Sequence, residues 1–221
     1  MILEICFLIF AAIMNLMTEV IFTRHGQTEW NVARRMQGQK DSPLTEMGLM
    51  QARILGAYLK DKGVASIYTS PLLRAERTAT IVMREIGHTS LNLSPELKEI
   101  NLADLEGKSF ARASAEDPVR MAAFSSKPSD FIPGPGGESF EEVQKRALDF
   151  VLPLFEKHRD ERILVVCHAV VLRLMMSYFE NYSIDEYWKM EGFFYPCSIT
   201  RVVCDRGLYK LLEKNNIKYT K

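Results

Sequence analysis

Cysteine is scarce in this chain, and what there is forms no pattern: Cys6, Cys167, Cys197 and Cys204 make no C-x-x-C pair. That spacing excludes the disulfide framework of a small secreted domain and a zinc ribbon, and it fits a cytoplasmic protein with reduced thiols and no metal site. Net charge is lacking as well, because 28 Lys and Arg stand against 28 Asp and Glu. No global field draws nucleic acid or an anionic membrane, so any anion has to be captured by a local cluster. Nor is there an apolar run of the roughly 20 residues that a bilayer crossing takes. The stretch Ile5 to Met14 is apolar on every face, yet it follows Glu4, and no Lys or Arg precedes Arg24 to make the positive start of an export signal.

Residues 1–16 therefore read as an apolar N-terminal extension. A translation start at Met17 is the favoured explanation, with a packed helix or a membrane anchor as the alternatives, and no stable membrane association is expected. Residues 17–221 suffice for one domain with a sizeable core.

The strongest local feature is Val20-Ile21-Phe22 running directly into Thr23-Arg24-His25-Gly26-Gln27-Thr28-Glu29-Trp30-Asn31. An apolar strand ends where an arginine and a histidine begin, and α/β folds place ligands at such strand ends. Arg supplies a fork of donors suited to phosphate or carboxylate. His supplies an imidazole nitrogen that serves as base or nucleophile, and Gly lets an anion approach the backbone. A second junction of this kind follows Ile163-Leu164-Val165-Val166-Cys167, a continuous apolar run suited to a parallel strand buried on both faces. His168 and Ala169 end it, and a helical stretch runs from Val170 to Tyr178. Ala65 to Thr69 reads as another strand. Ser70 and Pro71 then open a helix as cap and first residue, which places Arg74 about one turn inside it, with the positive helix end toward the strand ends.

Elsewhere, Thr45 caps a helix with Leu49, Ala52, Leu55 and Leu59 on one face. Leu91 to Leu93 is a short strand. Ser139 and Glu142 form a capping box for a helix bearing Val143, Ala147, Val151 and Leu154. Ser198 to Cys204 and Leu208 to Leu212 form a closing hairpin around Asp205-Arg206-Gly207. Gln37-Gly38 is either a ligand contact or an ordinary turn. From about 108 to 135 the periodicity weakens and Pro118, Pro128, Pro133 and Pro135 interrupt it, so this part reads as an insertion. Its Phe110, Met121, Phe124, Phe131 and Ile132 point to a lid that excludes water, the alternative being a satellite apolar cluster.

Taken together, T-R-H-G-x-T-x-x-N at residues 23–31, S-x-L-x-R-A-x-x-T-A at 70–79, L-x-E ending at Glu99 with Glu106-Gly107 beyond it, and the second histidine His168 resemble the signature of the histidine phosphatase superfamily, also called phosphoglycerate-mutase-like. Gly136-Gly137-Glu138-Ser139 and the short insertion resemble its phosphatase branch, which includes alpha-ribazole and broad-specificity phosphatases. The resemblance implies an α/β fold, a three-layer sandwich with a mostly parallel central sheet flanked by helices. It implies that His25 is phosphorylated during turnover, that Arg24, Arg74 and His168 hold the phosphoryl oxygens, and that Glu99 is the proton donor. Asn31, Gln37, Gly38, Glu138 and Ala169 are the expected substrate-binding positions. Ala103 and Ala169 stand where glycine is common in the family, and Leu105 where tryptophan is common. The implied activity is that of a metal-independent, cofactor-free phosphoric monoester hydrolase acting on a small phosphorylated metabolite. A cofactor-dependent phosphoglycerate mutase and a non-catalytic domain that binds a phosphorylated ligand are the alternatives.

Overall fold

The computed structural model describes residues 17–87 and 89–220. The N-terminal extension and the question of its start site lie outside them. The strands are β1 (Thr18–Arg24), β2 (Val64–Thr69), β3 (Ser90–Leu93), β4 (Arg162–Cys167), β5 (Ile199–Asp205) and β6 (Leu208–Asn216). They form one 6-stranded sheet in the order β3-β2-β4-β1-β5-β6. β1, β2, β3 and β4 are paired in parallel, and β5 is antiparallel to both of its neighbours. The helices are α1 (Glu29–Val32), α2 (Glu46–Leu59), α3 (Leu73–Ile86), α4 (Phe110–Glu116), α5 (Pro118–Ser126), α6 (Phe140–Lys157) and α7 (Ala169–Phe179). No described helix is long and apolar enough to cross a membrane.

Central strands are apolar without interruption because both of their faces are covered. Val20, Phe22, Ile163, Val165 and Cys167 pack with α6 and α7 in one cluster. Their neighbours Ile21, Leu164 and Val166 point the other way and pack with Ile67 and with Ala52, Leu55, Ala75, Ala79 and Val82 of α2 and α3. The result is a mostly parallel sheet with helices on both faces. The strand order also puts the carboxyl ends of β2, β4 and β1 side by side, with Thr69 beside Val166 and Arg24 beside Cys167. The loops that leave those three ends carry Ser70, His168 and His25.

One approach of backbone to backbone fixes the exit of β1. A Cβ on Gly48 would lie 2.1 Å from the Gln27 carbonyl oxygen, and one on Gly26 would lie 2.5 Å from the Gly48 oxygen. Helix α2 can cross the loop after His25 only because both residues lack side chains. Gly48→Ala is expected to lower stability by about 1–3 kcal/mol through overpacking, seen as a fall in the thermal midpoint.

Several expectations shift. Helix α3 begins at Leu73, with Leu72 in the cap position and no side-chain cap of its own. Arg74 is thus its second residue rather than one turn inside it, and Pro71 lies before it. Helices α4 and α5 do not form an apolar ceiling: Met121, Phe124 and Phe131 are buried within the α6–α7 core. Phe124 packs against Phe131 and Phe140, each with its centroid at 5.3 Å. Only Phe110 and Ile132 of the expected lid residues remain exposed. The aromatic side chains gain more by joining an existing core than by waiting at a wet surface. Ala103 does take the left-handed backbone, at φ 50°, which glycine would adopt without the steric cost of a Cβ. Ala169 needs no such conformation, since it opens α7 as an ordinary helical residue. The hairpin turns on Arg206 and Gly207, both at positive φ (51° and 80°), the backbone of a tight turn that matches strand twist.

Candidate active site

His25 leaves the end of β1 almost wholly buried, at 3 % exposure. Its Nδ1 is 2.7 Å from the Gly26 carbonyl. A carbonyl only accepts, so the imidazole proton sits on Nδ1 and the lone pair is on Nε2. That nitrogen accepts from Arg74 Nε at 3.3 Å. The attacking atom of a nucleophilic histidine is thereby defined by its own backbone.

Arg74 is fixed by the loop that precedes α2. Its Nη2 donates to Gly38 O at 2.6 Å, and its Nη1 donates to Lys40 O at 2.8 Å and to Asp41 Oδ1 at 2.7 Å. Asp41 also accepts from the backbone N–H groups of Leu73 and Arg74, at 2.9 and 3.4 Å. One carboxylate therefore caps a helix that has no cap of its own and pairs with that helix's arginine. Gly38 holds its carbonyl in place at φ 54°, and a Cβ there would strike the Glu106 carboxylate at 2.1 Å. Glu106 in turn accepts from the N–H groups of Gln39 and Lys40.

His168 lies against His25, with ring centroids 5.2 Å apart. Its Nε2 meets Ser70 Oγ at 2.8 Å, and Ser70 Oγ already accepts from Leu72 N at 3.2 Å. Ser70 keeps its hydroxyl hydrogen for His168 Nε2, and with that bond donated by Ser70 the imidazole proton is on Nδ1. That Nδ1 is enclosed and has no partner, and so is Arg24 Nε. Arg24 otherwise donates to Phe194 O at 3.2 Å and lies under the Phe193 ring, 5.3 Å from its centroid. Two enclosed N–H groups without acceptors beside two buried arginines are what an anion-binding space presents.

Glu99 is 7 % exposed. Its Oε2 accepts from Val170 N at 3.1 Å, and its Oε1 accepts from Val171 N at 3.1 Å and Ile100 N at 3.0 Å. The first turn of α7 therefore carries His168 at its cap and grips Glu99 by two backbone donors.

The remaining expected contacts divide. Asn31 spends its Oδ1 on Thr28 N in the cap of α1, at 3.1 Å, leaving only its NH2 free. Gln37 bonds Thr28 through Nε2 while its Oε1 is enclosed and unpaired. Turned over, the same amide would accept from the Thr28 hydroxyl and present an N–H. Glu138 is engaged within the protein: both of its oxygens are taken by Arg146 at 2.7 and 3.0 Å, with Asn101 N at 2.8 Å and Gln39 Nε2 at 3.3 Å. Arg146 also donates to Glu99 O at 3.2 Å. The paired carboxylate thereby braces the Glu99 loop. No group of three or more His, Cys, Asp or Glu among the described residues is arranged to hold a metal ion.

Residues 20–217 match the family model described as histidine phosphatase superfamily, branch 1. This chain belongs to the histidine phosphatase superfamily. Among its relatives in the superfamily is the metal-independent phosphoserine phosphatase of Arabidopsis thaliana, 38% identical over 158 residues, covering 71% of this chain and 66% of that protein. The chain thus spans about two thirds of that relative's length. The protein named probable phosphoglycerate mutase GpmB of Erwinia tasmaniensis is 39% identical over 165 residues, 73% of this chain and 74% of its own. Among solved structures, YhfR of Bacillus stearothermophilus superposes with a TM-score of 0.87 at 37% identity, over 92% of this chain and 100% of that one. The family and the phosphatases among its members support a hydrolase acting on phosphate esters.

For a superfamily member, the site's electrostatics carry a pH signature. Burial first, and then Arg74, holds both His25 and His168 well below the usual imidazole value. Burial also lowers Arg24, to about 10, so it stays charged at neutral pH. Well above about pH 6.5 the two histidines are neutral in both the folded and unfolded chain. As pH falls through that value, the unfolded chain binds protons that the folded chain does not, so stability is lost until the folded values are reached. Two such groups give a slope approaching about 2.7 kcal/mol per pH unit. Urea midpoints measured downward from neutrality are expected to fall on this account, and to fall less in a variant lacking one histidine.

Proposed function

We propose that this protein is a metal-independent phosphomonoesterase that hydrolyses a small phosphorylated metabolite through a phosphohistidine on His25. The observation that carries the reading is the fixed tautomer of His25, with its Nε2 lone pair turned to Arg74 beside the unpaired Arg24 Nε and His168 Nδ1. Arg24, Arg74 and His168 surround the phosphoryl oxygens and stabilise charge where it accumulates. Nε2 of His25 attacks phosphorus, the bond to the ester oxygen breaks, and Glu99 protonates that oxygen as the alcohol leaves. Glu99, now a carboxylate, takes a proton from water, which attacks phosphorus, breaks the N–P bond and regenerates His25. The two arginines supply the positive charge that the transfer needs, and neutral His168 adds a hydrogen-bond donor. The buried free thiols Cys167, Cys197 and Cys204 fit a cytoplasmic setting.

The similarity to proteins named as phosphoglycerate mutases favours a second reading, in which the phosphoryl group stays on His25 while a bisphosphorylated intermediate turns over. The test is phosphate release from a panel of phosphomonoesters with chelator present, beside conversion of 3-phosphoglycerate to 2-phosphoglycerate with and without bisphosphoglycerate. Release without isomerisation is expected. Isomerisation without release would establish the mutase, and silence in both assays would leave a domain that binds a phosphorylated ligand.

A further inference from the structure

Tyr187 takes no part in the chemistry above. It lies in the short 3-10 segment Ile184–Lys189 and is only 2 % exposed. Phe140 and Trp188 meet its ring edge-on, with centroids at 5.3 and 4.7 Å, and the Arg173 guanidinium lies over it at 5.2 Å. Buried tyrosines ordinarily find a partner for the hydroxyl. This one has none among the described residues, yet it is not one of the fully enclosed orphans, as Arg24 Nε and His168 Nδ1 are. Its oxygen is thus neither paired to a described residue nor an enclosed orphan.

The segment that carries Tyr187 is fastened beside the site. Arg173 Nε donates to Tyr187 O at 2.8 Å and Nη1 to Gly192 O at 2.7 Å, and Nη2 donates to Met190 O. These bonds fasten residues 187–192 to α7, whose first turn grips Glu99. Directly beyond, Phe193 stacks on Arg24 and Phe194 accepts its hydrogen bond. Glu99 and Arg24 are both near enough for their charges to act on the hydroxyl, and Tyr187 acts in turn on Arg24. Burial and then Glu99 push the phenol well above its ordinary value, so it remains a donor at all working pH values.

The phosphoryl oxygens already have Arg24, Arg74 and His168, while Glu99 serves the leaving oxygen. Tyr187, on the segment tied to the helix that grips Glu99, offers a neutral donor on the leaving-group side. We propose that the Tyr187 hydroxyl is a specificity-determining contact that donates a hydrogen bond to a hydroxyl or carboxylate oxygen borne next to the phosphoester. This rests on the reading of the site as one for phosphomonoesters. The substrate class is then a hydroxylated or carboxylated alkyl phosphate, with the exposed Phe193 ring beside its carbon chain.

Tyr187→Phe removes one oxygen atom and keeps the ring packing, so an unchanged thermal midpoint is expected. With glycerol 3-phosphate and O-phosphoserine, kcat/KM should fall about tenfold, the loss of one net hydrogen bond to a polar substrate group. With phenyl phosphate, which offers no such oxygen, the change should stay under about twofold. A loss equal on all three, or no loss on any, overturns the proposal. Calorimetric binding of the same esters to wild type and Tyr187→Phe reads the same preference without turnover. If the wild type releases no phosphate, the phosphatase reading fails, and equal affinities in the two proteins would then overturn the Tyr187 contact separately.

Discussion

His25→Ala is expected to abolish phosphate release, by roughly 10⁴-fold or more, as removal of a nucleophile does in enzymes with covalent intermediates. No second group can replace it. His168, whose ring lies 5.2 Å from that of His25, uses its Nε2 on Ser70 and is enclosed at Nδ1. The anion-binding groups survive the substitution, because Arg24 is held by Phe194 and Arg74 by Gly38, Lys40 and Asp41. Phosphate affinity, measured by calorimetry, should therefore stay within a few-fold of wild type while single-turnover release disappears. Wild-type rates in a carefully purified variant would refute the covalent route.

Glu99→Gln should cost about 10²–10⁴ in kcat, the usual contribution of a positioned acid–base group. Glutamine keeps the shape and one acceptor oxygen, enough for the N–H groups of Val171 and Ile100. Its amide nitrogen would then face the N–H of Val170, a donor against a donor. Some loss of stability is expected on that account, read from the urea midpoint. The kinetic signature is separable from it: a phosphate ester of a very acidic alcohol needs little protonation on leaving, so the variant should lose less on p-nitrophenyl phosphate than on an alkyl phosphate. Equal losses on both would mean that Glu99 acts by holding α7 and not by giving a proton.

Much of this was legible in the sequence because strand ends announce themselves within a continuous stretch of chain. Val20 to Phe22 and Ile163 to Cys167 end at His25 and His168, and sheet order then brings those ends together. The sequence motifs likewise point to Arg24, Arg74 and Glu99, and all of these are buried, around the carboxyl ends of the central strands. What could not be read were partnerships made by topology. Asp41 sits in a turn that looks like a connector, and only the uncapped start at Leu73, two residues later than Pro71 suggests, creates the need for its carboxylate. The ion pair of Glu138 is hidden because its partner Arg146 lies two turns along α6 and nothing local says which way either side chain turns. The burial of Phe124 and Phe131 is equally hidden, since an apolar residue in a broken helical stretch carries no sign of which core it will join. Tyr187 follows the same rule, its importance depending on neighbours far away in sequence.

The grip of α7 on Glu99 has a use beyond catalysis. The Val170 and Val171 amide protons both end on that carboxylate. Their nitrogen and proton resonances form a built-in indicator of its charge. A spectroscopist could follow the acid through binding and turnover there without touching it.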